Sequence, residues 1–104
     1  MNLPPQNVLA LLQNPPADGE QYSDEDIQVL AAYINNEAND DMTMTLWGWI
    51  QPKSFVLCQI HPYIEMRMVE TAKRWHDAPD EDYKKVRLDC TEMLEAAGVK
   101  FRVK

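Results

Sequence analysis

Glycine is scarce in this chain of 104 residues: only Gly19, Gly48 and Gly98 occur, and no two lie close together. Phosphate-cradling loops need clustered glycines so that backbone N–H groups can approach the anion, so the P-loop and dinucleotide fingerprints are excluded. Serine is nearly absent, with Ser23 and Ser54 alone, and neither stands in the G-x-S-x-G turn of a serine hydrolase. The two cysteines, Cys58 and Cys90, are too few for a disulfide framework and read as reduced, buried small hydrophobes. Unbroken apolar runs are short (Val8–Leu12, Val29–Ile34, Leu46–Ile50), far below the roughly 20 residues of a membrane span. The N-terminus has no cation before its first apolar run and does not read as a secretory signal, so the expected compartment is the cytoplasm, with no membrane partner.

The most informative shortage is of positive charge. No Lys or Arg occurs before Lys53, whereas eight carboxylates do: Asp18, Glu20, Asp24, Glu25, Asp26, Glu37, Asp40 and Asp41. The first half (1–52) therefore carries −8 and the second half (53–104) +1, for a net charge of −7. Carboxylates without local counter-charges make a negative field that repels nucleic acid, attracts basic surfaces and speeds association with them. Several of these charges also have simple local explanations. Asp24, Glu25 and Asp26 complement a helix N-terminus, Asp40 and Asp41 suit a turn, and acidic residues in general keep a protein soluble. Neither acidic stretch has the glycine that a calcium loop requires at its sixth position, and no metal or other cofactor is expected.

A length near 100 residues suits a single domain spanning 1–104. Pro5 to Gln13 reads as a short helix, with proline in its first turn. Ser23 is a good N-cap for a second helix, whose Ile27, Leu30, Ala31 and Ile34 recur at i, i+3, i+4, i+7. Between 42 and 60 the pattern supports two readings. Met42, Met44 and Leu46 alternate with Thr43 and Thr45, and Pro52 then marks a turn before the apolar run 55–60. A β-hairpin is the favoured reading, with short helices the alternative. A third helix is expected from about Pro62, carrying Ile64, Met68, Ala72 and Trp75 on one face and a Glu70–Arg74 pair on its outer surface. A fourth runs from about Pro79 to Ala97 through Tyr83, Val86, Cys90, Met93 and Ala97, with Asp80–Lys84 and Glu81–Lys85 pairs. Gly98 follows at the left-handed C′ position. The tail alternates Val99, Phe101 and Val103 with cations, as an edge of the hairpin's sheet would. The expected fold class is α+β, mostly helical with about four helices and a small antiparallel sheet; all-α is the alternative.

Weaker constellations complete the reading. Cys58 and His61 form C-x-x-H, and His76 with Cys90 completes four metal-ligand types, but the second pair is too far apart in sequence for a structural zinc site. The same Cys58–His61 pair is the only candidate thiolate–imidazole couple for a small enzyme, with His61 otherwise capping the third helix before Pro62. On a strand, Trp47 and Trp49 share one face, as core residues or as an aromatic anchor for a partner. Met42, Met44, Met66 and Met68 add adaptable apolar surface. The tail cations Lys100, Arg102 and Lys104 are too few to offset the net charge of −7, so direct nucleic-acid binding is disfavoured, and the local basic helix of Arg67, Lys73 and Arg74 is what keeps it as an alternative.

These features converge on a non-enzymatic, acidic interaction protein. It would dock on a basic surface of another protein, such as a nucleic-acid-binding one, and regulate or inhibit it as a nucleic-acid mimic. Small acidic inhibitors carried by phages and mobile elements share this style. The expected contact residues are Asp18, Glu20, Asp24, Glu25, Asp26, Glu37, Asp40, Asp41, Trp47 and Trp49. The alternatives are a structural subunit that self-associates, for instance as a homodimer, through Trp47, Trp49 and the methionines; a Cys58/His61 enzyme; and a nucleic-acid-binding module.

Overall fold

The computed structural model describes residues 3–76 and 89–101. Four helices follow in order: α1 (Gln6–Gln13), α2 (Asp24–Asn36), α3 (Asp40–Ile50) and α4 (Ser54–His76). A fifth, α5, comprises helical residues 89–96. Among the described residues 72% are helical and none is in a strand. The expected α+β fold with a small sheet is therefore corrected to all-α.

Each helix start has a local cause. Pro5 precedes α1, where its missing N–H forfeits no helical bond. Ser23 caps α2 as the sequence predicts, its Oγ accepting the Asp26 N–H at 3.2 Å. Asn39 caps α3, its Oδ1 accepting the Met42 N–H at 2.9 Å. At the far end of α5, Gly98 adopts φ +91°, as expected of C′. The Val99 N–H reaches back to the Leu94 carbonyl and the Gly98 N–H to that of Glu95, both at 3.0 Å, which is the Schellman closure.

The proposed hairpin fails at both of its strands. Residues 42–50 belong to α3, where Met42, Leu46, Trp49 and Ile50 fall at i, i+4, i+7, i+8 and are all buried. Thr43 and Thr45 are buried too, so the Met/Thr alternation never separated an inner from an outer face. Residues 55–60 open α4, which starts eight residues before the expected Pro62 and carries that proline inside it. A proline removes the bond to the residue four back and crowds its carbonyl. That residue is Cys58, and both it and Pro62 are exposed, on the side of the helix where a proline is best tolerated because solvent can replace the lost bond. His61 accordingly lies within α4 and does not cap a helix start. Lys100 and Phe101 are not in a strand, and Val103 lies outside the described residues. So do Pro79, Tyr83, Val86 and the pairs Asp80–Lys84 and Glu81–Lys85; the end of that expected helix, through Cys90 to Leu94, is helical.

Helix α4 packs against α2 and α3, and α1 packs against α2. One apolar cluster, from Val8 through Leu30, Trp49 and Ile60 to Leu94 and Val99, joins the N-terminal helix to the C-terminal turn. Side-chain bonds fasten the connections over it. Gln13 Nε2 donates to the Ala97 carbonyl at 2.7 Å, and the Tyr22 hydroxyl donates to the Leu11 carbonyl.

Candidate functional site: an acidic end and a clamped corner

The eight carboxylates of the first half do not form one surface. Asp24, Glu25 and Asp26 occupy the first turn of α2, while Glu37, Asp40 and Asp41 follow its last turn. A 13-residue helix separates the two groups by about 20 Å, roughly twice the screening length at physiological salt. They are two separate groups at opposite ends of α2.

In the second group Asp40 is spoken for, while Glu37 is exposed and Asp41 half-buried, neither within ion-pair distance of a cation among the described residues. Asp40 accepts Arg74 Nε at 2.6 Å and Nη2 at 2.8 Å, and Arg67 Nη1 lies 3.2 Å from its Oδ1. Arg67 Nη2 also donates to the Ala38 carbonyl at 2.7 Å, so two arginines of α4 hold the α2–α3 corner. The Arg74 hydrogen bonds, aided by the charges of both arginines, hold the Asp40 carboxyl below its usual range against the opposing effect of burial. Burial and the Asp40 charge push Asp41 the other way. The expected Glu70–Arg74 pair gives way to Arg74–Asp40, with Glu70 contributing only through its charge. Asp40 therefore braces the α2–α3 corner, with both of its carboxylate oxygens engaged by arginines.

The first group remains open. Asp18, Glu20, Asp24 and Glu25 are exposed and Asp26 is half-buried; among the described residues none is within ion-pair distance of a cation. Asp18 and Glu20, on the α1–α2 connection, line a hollow of about 300 Å³ together with Pro16, Lys53, Phe55 and Val56 from around the start of α4. Phe55 is 52% exposed there. Lys53 donates from Nζ to the Trp49 carbonyl at 2.9 Å and sits 4.0 Å from the Trp49 ring centroid. Burial lowers its pKa, and the Asp18 charge opposes that shift.

The tryptophans part company. On a helix two residues apart are about 200° apart, so the single face expected of a strand does not exist. Trp49 is 1% exposed, and its Nε1 donates to the Lys100 carbonyl at 3.0 Å. It is a core residue, and its assignment as a partner anchor is corrected. Trp47 is half-buried, its ring 6.0 Å from that of His61, in a hollow of about 320 Å³ shared with Met44, Met68 and Val69. Of the other methionines, Met42 is buried and Met66 is exposed.

Cys58 is exposed and Cys90 buried, so the expectation of two buried thiols holds for Cys90 alone. No three His, Cys, Asp or Glu side chains among the described residues gather as a metal site. Likewise no described helix is long and apolar enough to cross a membrane. The sequence reading missed the arginine clamp and the exposed Phe55, Tyr63 and Val69. The spacing of Phe55, Cys58, Pro62 and Val69 at i, i+3, i+7, i+14 carried that signal once Pro62 is read as helical. Comparisons with protein-family models, curated proteins and solved structures find no match for this chain.

Proposed function

We propose that this protein is a small helical binding module that docks on a basic surface of another protein through its acidic end. The observation that carries the reading is the set of five carboxylates within residues 18–26, none in an ion pair among the described residues and with Lys53 the cation beside Asp18 and Glu20, next to a hollow edged by the exposed Phe55. Exposed carboxylates attract Lys and Arg side chains over a Debye length and raise the association rate, while apolar contact with the exposed Phe55 at the hollow's edge slows dissociation. Nucleic-acid-binding proteins are the fitting partner class, because their grooves display cations at high density, and occupying such a groove inhibits its owner.

The test uses a defined basic probe. Binding of an arginine-rich peptide with one aromatic residue is measured at 50 and 200 mM salt for three proteins: wild type, Asp18→Lys with Glu20→Lys, and Glu92→Lys with Glu95→Lys. Both double variants change the net charge equally, but the second lies on the exposed side of α5. Loss of tenfold or more in the first variant alone, with a steep salt dependence in wild type, supports the reading. Equal losses in both, or salt-indifferent binding, overturn it.

A further inference from the structure

The hollow of about 320 Å³ between α3 and α4 shares no lining residue with the one at the acidic end. Met44 and Trp47 of α3, one turn apart, face His61, Glu65 and Met68 of α4, which recur at i, i+4, i+7. Trp47 and Met68 are half-buried and packed against the core cluster, so the core holds this apolar inner wall in place. Glu65 is exposed at the rim, and the Trp47 and His61 rings meet at a tilt of 43°.

Charge decides what fits there. Glu65 is the one carboxylate among the described lining residues, and no cation of the described residues is within ion-pair distance of it. Its neighbours three and four positions away on α4 are His61, Pro62, Met68 and Val69, and α3 carries no Lys or Arg. The arginines of α4, Arg67 and Arg74, are held by Asp40. Lys73 stands about 12 Å further along the helix, in an adjoining hollow with His76. A carboxylate in such surroundings repels anions and favours a cation, and the face of an indole attracts the same cation through its quadrupole. The thioethers of Met44 and Met68 offer an adaptable surface to an apolar body. In volume the hollow matches the small end of ligand sites, which run from about 300 to 1,000 Å³.

We propose that the α3–α4 hollow binds a small organic ammonium ion, an amine in its cationic form carried on an aromatic or branched apolar body. The ammonium lies between the Glu65 carboxylate and the Trp47 ring, and the body covers Met44, Met68 and Val69. A compact aromatic body removes more of that wall from water than the unbranched stem of a partner's lysine does, which favours a small molecule over a protein side chain. The site uses neither the five carboxylates of residues 18–26 nor Phe55, so it stands or falls separately from docking at the acidic end.

Titration of 2-phenylethylammonium, followed by NMR of carbon-13-labelled methionine methyls, tests it. Physiological salt damps the general pull of the acidic chain on cations, and pH 8 leaves imidazole uncharged, so that Glu65 is the charge of the hollow. Saturable shifts are expected at Met44 and Met68 and not at Met66, which does not line the hollow. The uncharged 2-phenylethanol should bind at least tenfold more weakly. Glu65→Gln should abolish that preference, whereas Glu92→Gln, the same charge change on the exposed side of α5, should preserve it. Both glutamates are exposed, so both variants should keep the wild-type circular dichroism. Nα-acetyl-lysinamide, with its ammonium on an unbranched stem, should bind more weakly than 2-phenylethylammonium. Absence of shifts at Met44 and Met68, equal binding of the alcohol, or a preference that survives Glu65→Gln overturns the proposal. Lysinamide binding as tight as that of the aromatic amine overturns it too, and makes a partner's lysine the occupant.

Discussion

The side-chain amide of Gln59 pairs with the backbone of Tyr22 as a neighbouring strand would: its Oε1 accepts the Tyr22 N–H at 3.0 Å and its Nε2 donates to the Tyr22 carbonyl at 2.8 Å. Tyr22 precedes the Ser23 cap, so this one amide ties the entry of α2 to the first turns of α4. No neighbouring backbone is needed, because the glutamine supplies one donor and one acceptor at the right separation. Elsewhere on the same helix, Asn35 Nδ2 donates to the Tyr63 carbonyl at 2.9 Å, and Arg67 reaches Ala38.

Gln59→Ala should therefore cost about 2 kcal/mol, since it strands a partly buried N–H and carbonyl. Gln59→Glu keeps the acceptor for the N–H but turns a carboxylate toward the Tyr22 carbonyl. Its folded-state pKa is then raised above the unfolded value, so its stability is greatest at low pH and falls as pH rises through the folded pKa. Urea denaturation at pH 4 and pH 7 reads both effects. A Gln59→Ala midpoint equal to wild type would show that the bonds are not maintained in solution.

Asp40 and Asp41 should respond oppositely to pH. Asp40 has its folded pKa depressed, first by hydrogen bonds from Arg74. Its stabilisation is therefore present above the unfolded carboxyl value near 4 and disappears as pH falls through the lower, folded value. Asp41 is raised, first by burial, so its ionisation opposes folding as pH climbs above the unfolded value. Asp40→Asn should lower stability at pH 7, and Asp41→Asn should raise it slightly. Both differences should shrink toward pH 3. Thermal melts of the two variants across that range check the signs, and like-signed shifts at pH 7 would refute the arrangement.

Tryptophan replacement separates the two indoles. Trp49→Ala empties a fully buried site and should cost about 4 kcal/mol, while Trp49→Phe keeps most of the volume and loses chiefly the bond to Lys100. Trp47→Ala, at a half-buried site, should cost far less. Equal losses on denaturation would mean that the two rings share the same environment.

The sequence by itself determined the helix starts and stops that rest on local chemistry. Ser23 with its following acids, Pro5 before α1 and Gly98 at a left-handed turn each satisfy or terminate a backbone within a few residues, so nothing distant decides them. It also determined the front-loaded negative charge. Tertiary packing decided residues 42–60, because short apolar runs fit either period and burial of Thr43 and Thr45 erased the contrast between faces. The Asn39-Asp40-Asp41 start with apolar residues at i, i+4, i+7, i+8 was the helical signal there, and Pro62 obscured the unity of α4 because its tolerance depends on facing water. The fate of Asp40 was likewise beyond sequence: Arg67 and Arg74 stand 27 and 34 positions away, and only the packing of α4 across the α2–α3 corner brings their guanidinium groups onto one carboxylate.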